Sequence, residues 1–384
     1  MVMYDLSRHK YFEEYRDPKS GVVSYILKKR VATIQQSLYF THLGGITTDG
    51  KYMWFRCAEW PSRAIRYAIL SLDPDDPFVR VFNNVTSDAI SLLNPIPETH
   101  SALFSVRNKV YEVDIEGCVR EVLTVDEDFI GGRWLERIST HLSINSAGEL
   151  VTLDMHIGGK SYMAVGNLKT GEIKHINKFD RHHNHAQFSP TDEKLFILDQ
   201  DWVKDPISGE RFDVDQRIWL MDTNATRLEP IDPGNWFRHN GSIYCHDFWS
   251  QDGWICWPDL LEYVYEYNVY TKEKNMVWKR EICHAHTLDR RLWVGDASPY
   301  SWYEKPCKII FFDRDSGKEI DIFSAMPKPK YDRGAYHLDP HPAFSPDGEL
   351  IVSTTTVRDG EIDIALTPVE PLLKKCKECG SIIE

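Results

Sequence analysis

The sequence predicts an all-β chain folded as a seven-bladed β-propeller. Three observations carry that prediction: a repeated turn-plus-strand segment, a polar hairpin after most copies, and little helical periodicity. Seven segments set a turn rich in Asp, Gly, Ser or Asn directly before a short apolar run. They are TTDGKYMWF (47 to 55), IPETHSALFSV (96 to 106), NSAGELVTL (145 to 153), SPTDEKLFIL (189 to 198), SQDGWICW (250 to 257), TLDRRLWVG (287 to 295) and SPDGELIVS (345 to 353). Their mean spacing, roughly 50 residues, is that of propeller blades. Stretches such as SYMAVGNLKTGEIKHI, RIWLMDTNATRLEPI and KIIFFDRDSGKEIDIF supply the following strands and turns of a blade meander. An aromatic content of 12% suits packed sheets.

Taken along the chain, the blades are expected to fill residues 40 to 370 of one domain, 1 to 384. The early run GVVSYILKK (21 to 29) is expected to complete the last blade and close the ring, which removes exposed sheet edges. Residues 371 to 384 read as a tail, with the pair Cys376 and Cys379 in CKEC too isolated to argue for zinc.

Composition narrows the function. A net charge of −13 without a Lys/Arg-rich run argues against a nucleic-acid partner. No apolar run reaches the ~18 residues of a membrane span, and the charged opening MVMYDLSRHKYFEEYRD has no secretory pattern. A cytoplasmic protein is therefore expected, in keeping with eight cysteines that follow no disulfide framework. DPDDPF (73 to 78) lacks the spacing of a calcium loop and reads as a solvated turn.

The histidines follow the blades. His42, His141, His185, His246, His284 and His341 each stand a few residues ahead of their segment's turn, where innermost strands converge on one mouth of the central channel. With 15 histidines in 384 residues, this shared register points to a site rather than to scattered packing contacts. Imidazole is both the commonest metal ligand and the side chain that exchanges protons near neutrality. Trp202, Trp236, Trp249 and Trp302 are of a type that stacks on sugar rings, although blade packing is the commoner use of tryptophan in such folds.

CHDFWSQDG (245 to 253), CHAHTLDRRLWVGDASP (283 to 299) and DPHPAFSPDGELIVSTT (339 to 355) together resemble three successive signatures of the oligogalacturonate lyase family. These are a His-Glu-Phe-Trp segment before a turn, a histidine ahead of a Val-Gly-Asp strand, and a His-Pro-His-Pro segment before the last blade. YRDPKSGVVSYIL, TTDGKYMWF, NHAQFSPTDEKLFIL and the arginine that opens RIWLMD extend the resemblance along the chain; it is firmest from residue 180 onward.

The resemblance implies a seven-bladed propeller that splits short pectin-derived oligogalacturonides by β-elimination, with a divalent metal, Mn²⁺, held by histidines and a glutamine. It implies His246 as the catalytic base, His284 (with His286 as fallback) and His341 as metal ligands, and Arg217 as an arginine that meets substrate. The chain departs from the family pattern twice: Asp339 replaces the first histidine of His-Pro-His-Pro, and Tyr336 stands where the ligating glutamine would be. Carboxylate and imidazole both suit Mn²⁺, so Asp339 is a candidate ligand, and His337 is a candidate replacement for the glutamine. His185 and Arg333 are further substrate-binding candidates, Arg63 a weaker one.

The same chemistry follows from the reaction. Removing the C5 proton of a uronide, alpha to its carboxylate, needs a base and a way to neutralise the developing charge. The expected partner is thus an acidic oligosaccharide. A non-catalytic propeller that binds protein or sugar, or a metal-dependent hydrolase or epimerase of a sugar acid, remain the alternatives.

Overall fold

Seven small antiparallel sheets stand in a ring around a central channel, each a blade of three or more strands. The computed structural model describes residues 4–39, 44–87, 92–96, 98–201, 203–204, 208, 211–212, 216–232, 244–259, 262–297, 306–331 and 336–378. Blade 1 begins with the innermost strand Ile34–Ser37, earlier in the chain than residue 40, and continues through Tyr52–Ala58, Ile65–Ser71 and Val79–Ser87. Blades 2 to 6 start at Asn94–Pro95, Leu135–Arg137, His183–Phe188, Phe248–Trp249 and His284–Thr287.

Burial falls from the axis outward, which explains the sequence pattern. Blades pack face to face, so near-axis strands such as Leu195–Gln200 and Leu350–Thr355 are buried at every residue and open on apolar runs, LFIL and LIV. Outer strands such as Ile173–Phe179 are mostly wetted. Among the described residues seven hydrophobic clusters fill the seven gaps between neighbouring blades, including the gap between the last blade and the first.

The repeated turn has a repeated chemistry. In Ser345-Pro-Asp-Gly348 the Gly348 amide donates to the Ser345 carbonyl at 2.9 Å, and the Ser345 hydroxyl donates to Asp347 at 2.6 Å. The Leu350 amide donates back to the Ser345 hydroxyl oxygen at 3.0 Å. Gly348 takes φ 73°, a value that favours glycine. Ser250 and Gly253 repeat these bonds in blade 5, which is why the motif is legible as a blade marker.

Ring closure joins the two ends of the described chain. Val23–Leu27 pairs with Asp363–Pro368 (Tyr25 opposite Leu366, Ile26 opposite Ala365), as expected, and Phe12–Arg16 adds a fifth strand outside it. Ile26 and Leu27 are fully buried, each contributing about 1.5–3 kcal/mol to the closure.

One expectation is corrected here. Part of the segment read as a tail is the helix Val369–Glu378, because Leu372 and Cys376, one turn apart, bury against Cys307, Ile309 and Phe323 of blade 6. Cys379 lies outside the described residues.

Asp17 ties the closing hairpin to blade 6. Its carboxylate accepts from the Ser324 amide at 2.7 Å and hydroxyl at 2.9 Å, and from the Ser20 amide at 2.8 Å. Burial pushes this carboxyl up, but the bonds from Ser20 and Ser324 outweigh it and hold its pKa below the usual value. The stabilisation is therefore complete above the unfolded pKa of about 3.9 and is lost as pH falls through the lower folded value. Asp17→Ala should cost about 2–3 kcal/mol at neutral pH. Denaturant melts at several pH values would check this, and the gap between wild type and variant should narrow toward pH ~3.

Candidate active site

Three histidines of the shared register are held by unusual backbone. His185, His246 and His341 are each the fourth residue ahead of their turn's first residue, Ser189, Ser250 and Ser345, and have φ 55°, 52° and 42°. Left-handed backbone at a non-glycine residue costs about 1–2 kcal/mol. Its recurrence at one position of three blades singles these residues out as site candidates. His337 shares it, at φ 52°.

Asp296, fully buried on blade 6, organises two of these groups. One oxygen accepts from the His284 amide at 2.8 Å. The other accepts from His284 Nδ1 at 2.7 Å and from the His341 amide at 3.2 Å. A proton on Nδ1 leaves the lone pair of His284 on Nε2. His341 is fixed in the same tautomer, its Nδ1 donating to the Asp339 carbonyl at 3.1 Å, and burial with His284 and His337 beside it pushes its pKa well down, so it stays neutral. The rings of His284 and His341 lie 3.7 Å apart.

His337 Nε2 is 3.4 Å from the Asp339 carboxylate. One donor atom each from His284, His337, Asp339 and His341 falls within 4.8 Å of the others, a spacing that one ion can bridge. Imidazoles beside a carboxylate are a donor set that a divalent cation such as Mn²⁺ accepts.

His246 stands at the edge of this set, its ring centroid 4.1 Å from that of His284. Its Nδ1 donates to the Cys283 carbonyl at 2.7 Å, which puts the lone pair on Nε2. Burial, followed by His284, drives its pKa well below the usual value, although part of the ring surface stays open. It is a neutral acceptor of a proton. A small cavity of about 40 Å³ is lined by His246, His284 and His341 together with Tyr39, Gln187, Phe248 and His286.

The other residues singled out from sequence are placed as follows. His286 lines the cavity, accepts from the Phe344 amide at 3.1 Å and stacks on Phe248, outside the four-residue cluster. His185 pairs with His141 at 2.6 Å. Arg217 is buried and ion-paired, 2.7 Å from Asp199 and 3.4 Å from Asp201, rather than open in the cavity. Trp249 is a buried packing residue whose Nε1 donates to the Gln187 carbonyl, and Arg63 is exposed. His42, Arg333, Trp202, Trp236 and Trp302 lie outside the described residues.

Sequence reasoning missed several residues. Asp296 was visible within the Val-Gly-Asp strand, but its link to His341 crosses between blades. Tyr39 stacks on both His337 (4.7 Å) and His341 (4.5 Å), and the buried Arg56 guanidinium lies 4.9 Å from the Tyr39 ring. Asp199, whose pKa is pushed well up by burial and by Asp247 against the opposing Arg217, stands in a buried carboxylate pair with Asp247.

No protein-family model matches this chain, and no curated protein matches it. Solved structures do. A structure of oligogalacturonate lyase in complex with manganese superposes with a TM-score of 0.73 over 93% of this chain and 96% of the other, at 17% identity. The oligogalacturonate lyase of Vibrio parahaemolyticus gives 0.72, with the same coverage and identity. This chain has the oligogalacturonate lyase fold. At such identity the likeness establishes architecture, and the chemistry must be argued from the side chains above.

Asp296 gives that argument a direct test. Asp296→Asn keeps the shape but removes the charge that orients and polarises His284, and should weaken Mn²⁺ binding about 10–100-fold in a titration of the metal-free protein.

Proposed function

We propose that the protein is a metal-dependent lyase that cleaves short uronic-acid oligosaccharides, oligogalacturonides first among them, by β-elimination. The observation that carries this reading is the pairing of a neutral His246, its lone pair on Nε2, with the adjacent cluster His284, His337, Asp339 and His341. The manganese complex of a structural neighbour supports Mn²⁺ as the cation.

In the proposed reaction His246 Nε2 takes the C5 proton of the sugar whose O4 is linked to the leaving residue. The C5 electron pair forms the C4–C5 double bond, the C4–O4 bond breaks, and the departing O4 gains a proton. A divalent cation bound by the cluster supplies Lewis acidity toward the C6 carboxylate, worth several kcal/mol on the transition state. Asp296 and the Asp339 carbonyl hold the ligand tautomers, and Cys283 holds that of the base. The positive field of Arg217 acts on both His185 and His246 and favours their neutral forms. Arg217, His185 and Arg333 are the proposed substrate-side residues. Asp339 and His337 are proposed to take the places of the family's histidine and glutamine, a change that bears on which uronide is preferred. The reducing cytoplasm is the proposed location, in keeping with cysteines that follow no disulfide framework in the sequence.

The test is ultraviolet absorbance of the conjugated 4,5-unsaturated uronate. Short oligogalacturonides with Mn²⁺ supplied should give a rising signal that a chelator stops. Silence across galacturonate, glucuronate and rhamnose-containing panels would overturn the lyase reading, and release of reducing ends without the absorbance would replace it with hydrolysis.

A further inference from the structure

His284 belongs to two donor sets, not one. Besides the His/Asp cluster, Cys283, His246 and His284 bring one ligand atom each within 4.8 Å of one another. Cys283 Sγ is 3.8 Å from His246 Nδ1 and 3.8 Å from His284 Nε2, and the cysteine is almost fully buried. Around a tetrahedral zinc ion, with bonds of about 2.3 Å to sulfur and 2.0–2.1 Å to nitrogen, a sulfur and a nitrogen ligand stand about 3.5 Å apart. Both observed separations are within a small side-chain adjustment of that edge. A second thiol, Cys245, has its sulfur 3.3 Å from the same His246 nitrogen.

We propose that Cys283, His246 Nδ1 and His284 Nε2 form a second metal site selective for thiophilic ions such as Zn²⁺ and Cd²⁺. Sulfur favours such ions, whereas the carboxylate and imidazoles of the neighbouring cluster favour Mn²⁺. The two sites share His284 Nε2, whose single lone pair serves one ion, so occupancy of one excludes the other. Occupancy of the sulfur site also changes His246. The thiol proton leaves to solvent, the ring proton moves from Nδ1 to Nε2, and the Nδ1 lone pair goes to the ion. The bond from Nδ1 to the Cys283 carbonyl is given up. Nε2 then bears a hydrogen, and the ring cannot accept another proton there. Thiophilic ions are thus inhibitors that act twice, by taking a ligand from the working cation and by reversing the tautomer of the base.

The inhibition rests on the proposed lyase function, but the metal site does not, so the experiment has two arms. In the first, metal-free protein is titrated with Cd²⁺ and followed by the thiolate-to-cadmium charge-transfer absorbance. A stoichiometric band is expected in wild type, retained in Cys245→Ser, and weakened at least about tenfold in affinity in Cys283→Ser, since loss of a direct ligand should cost no less than loss of a supporting residue. Added Mn²⁺ should move the Cd²⁺ midpoint upward. An unchanged band in Cys283→Ser, no band at all, or a midpoint indifferent to Mn²⁺ overturns the proposal. Cadmium NMR of the unmutated protein guards against a folding defect in the variant: a shift typical of mixed sulfur and nitrogen ligation supports the site, and one typical of oxygen ligation alone rejects it. In the second arm, equimolar Zn²⁺ should suppress uronide elimination in wild type and do so at least about tenfold less effectively in Cys283→Ser. Equal suppression of both proteins would overturn the inhibitory mechanism. Absence of elimination in wild type would fall on the lyase reading and leave the cadmium result standing.

Discussion

Replacing His246 with alanine should abolish uronide turnover, by a factor of about 10²–10⁴ or more, while leaving the bound cation in place. The expected separation of effects comes from the hydrogen bond between Nδ1 and the Cys283 carbonyl, which leaves Nε2 as the proton acceptor. His246 is absent from the cluster formed by His284, His337, Asp339 and His341. Metal content and the elimination signal, measured on the same sample, check this. Loss of metal together with activity would reassign His246 as a ligand of the working cation.

His341→Ala should fail in the opposite order, losing the metal first and activity as a consequence. Its imidazole is fixed by the Asp339 carbonyl and its amide is tied to Asp296, the same carboxylate that orients His284. Removing this ring deletes one donor and opens space beside another, since the two rings are 3.7 Å apart. A single metal analysis is the readout: a variant with wild-type Mn²⁺ content would show that the cluster is not the metal centre. Restored turnover at high Mn²⁺ would mean weakened affinity rather than a lost site.

The fold was legible because its signals are local. The Ser-Pro-Asp-Gly turn fixes its own geometry through bonds spanning five residues, and the buried strand after it opens on the apolar Leu350, Ile351 and Val352. The closing strand Val23–Leu27 was legible for the same reason, as an apolar run needing a partner. Most of the candidate site followed from register, since His246, His284 and His341 stand at equivalent blade entrances. The supporting contacts were hidden because they cross between blades. Tyr39, under the Arg56 guanidinium of blade 1, meets His337 and His341 only through ring closure, and nothing near Cys283 in sequence announces that its carbonyl holds His246. Arg217 shows the limit of motif transfer: the motif found the residue, whereas its ion pairs with Asp199 and Asp201 depend on strands folded around it.

The pairing of Val23–Leu27 with Asp363–Pro368 sets the order of events during biosynthesis. Val23–Leu27 leaves the ribosome before its partner and must wait, unpaired on that edge, until residues 363 to 368 have followed. Chains that stop short of residue 363 cannot seal the circle, and they present both a bare strand edge and an uncovered apolar face to other proteins. The four donors span residues 284 to 341, so a nascent chain that has not passed residue 341 offers no complete cluster. On the proposed function, a cation would enter only once that cluster is complete.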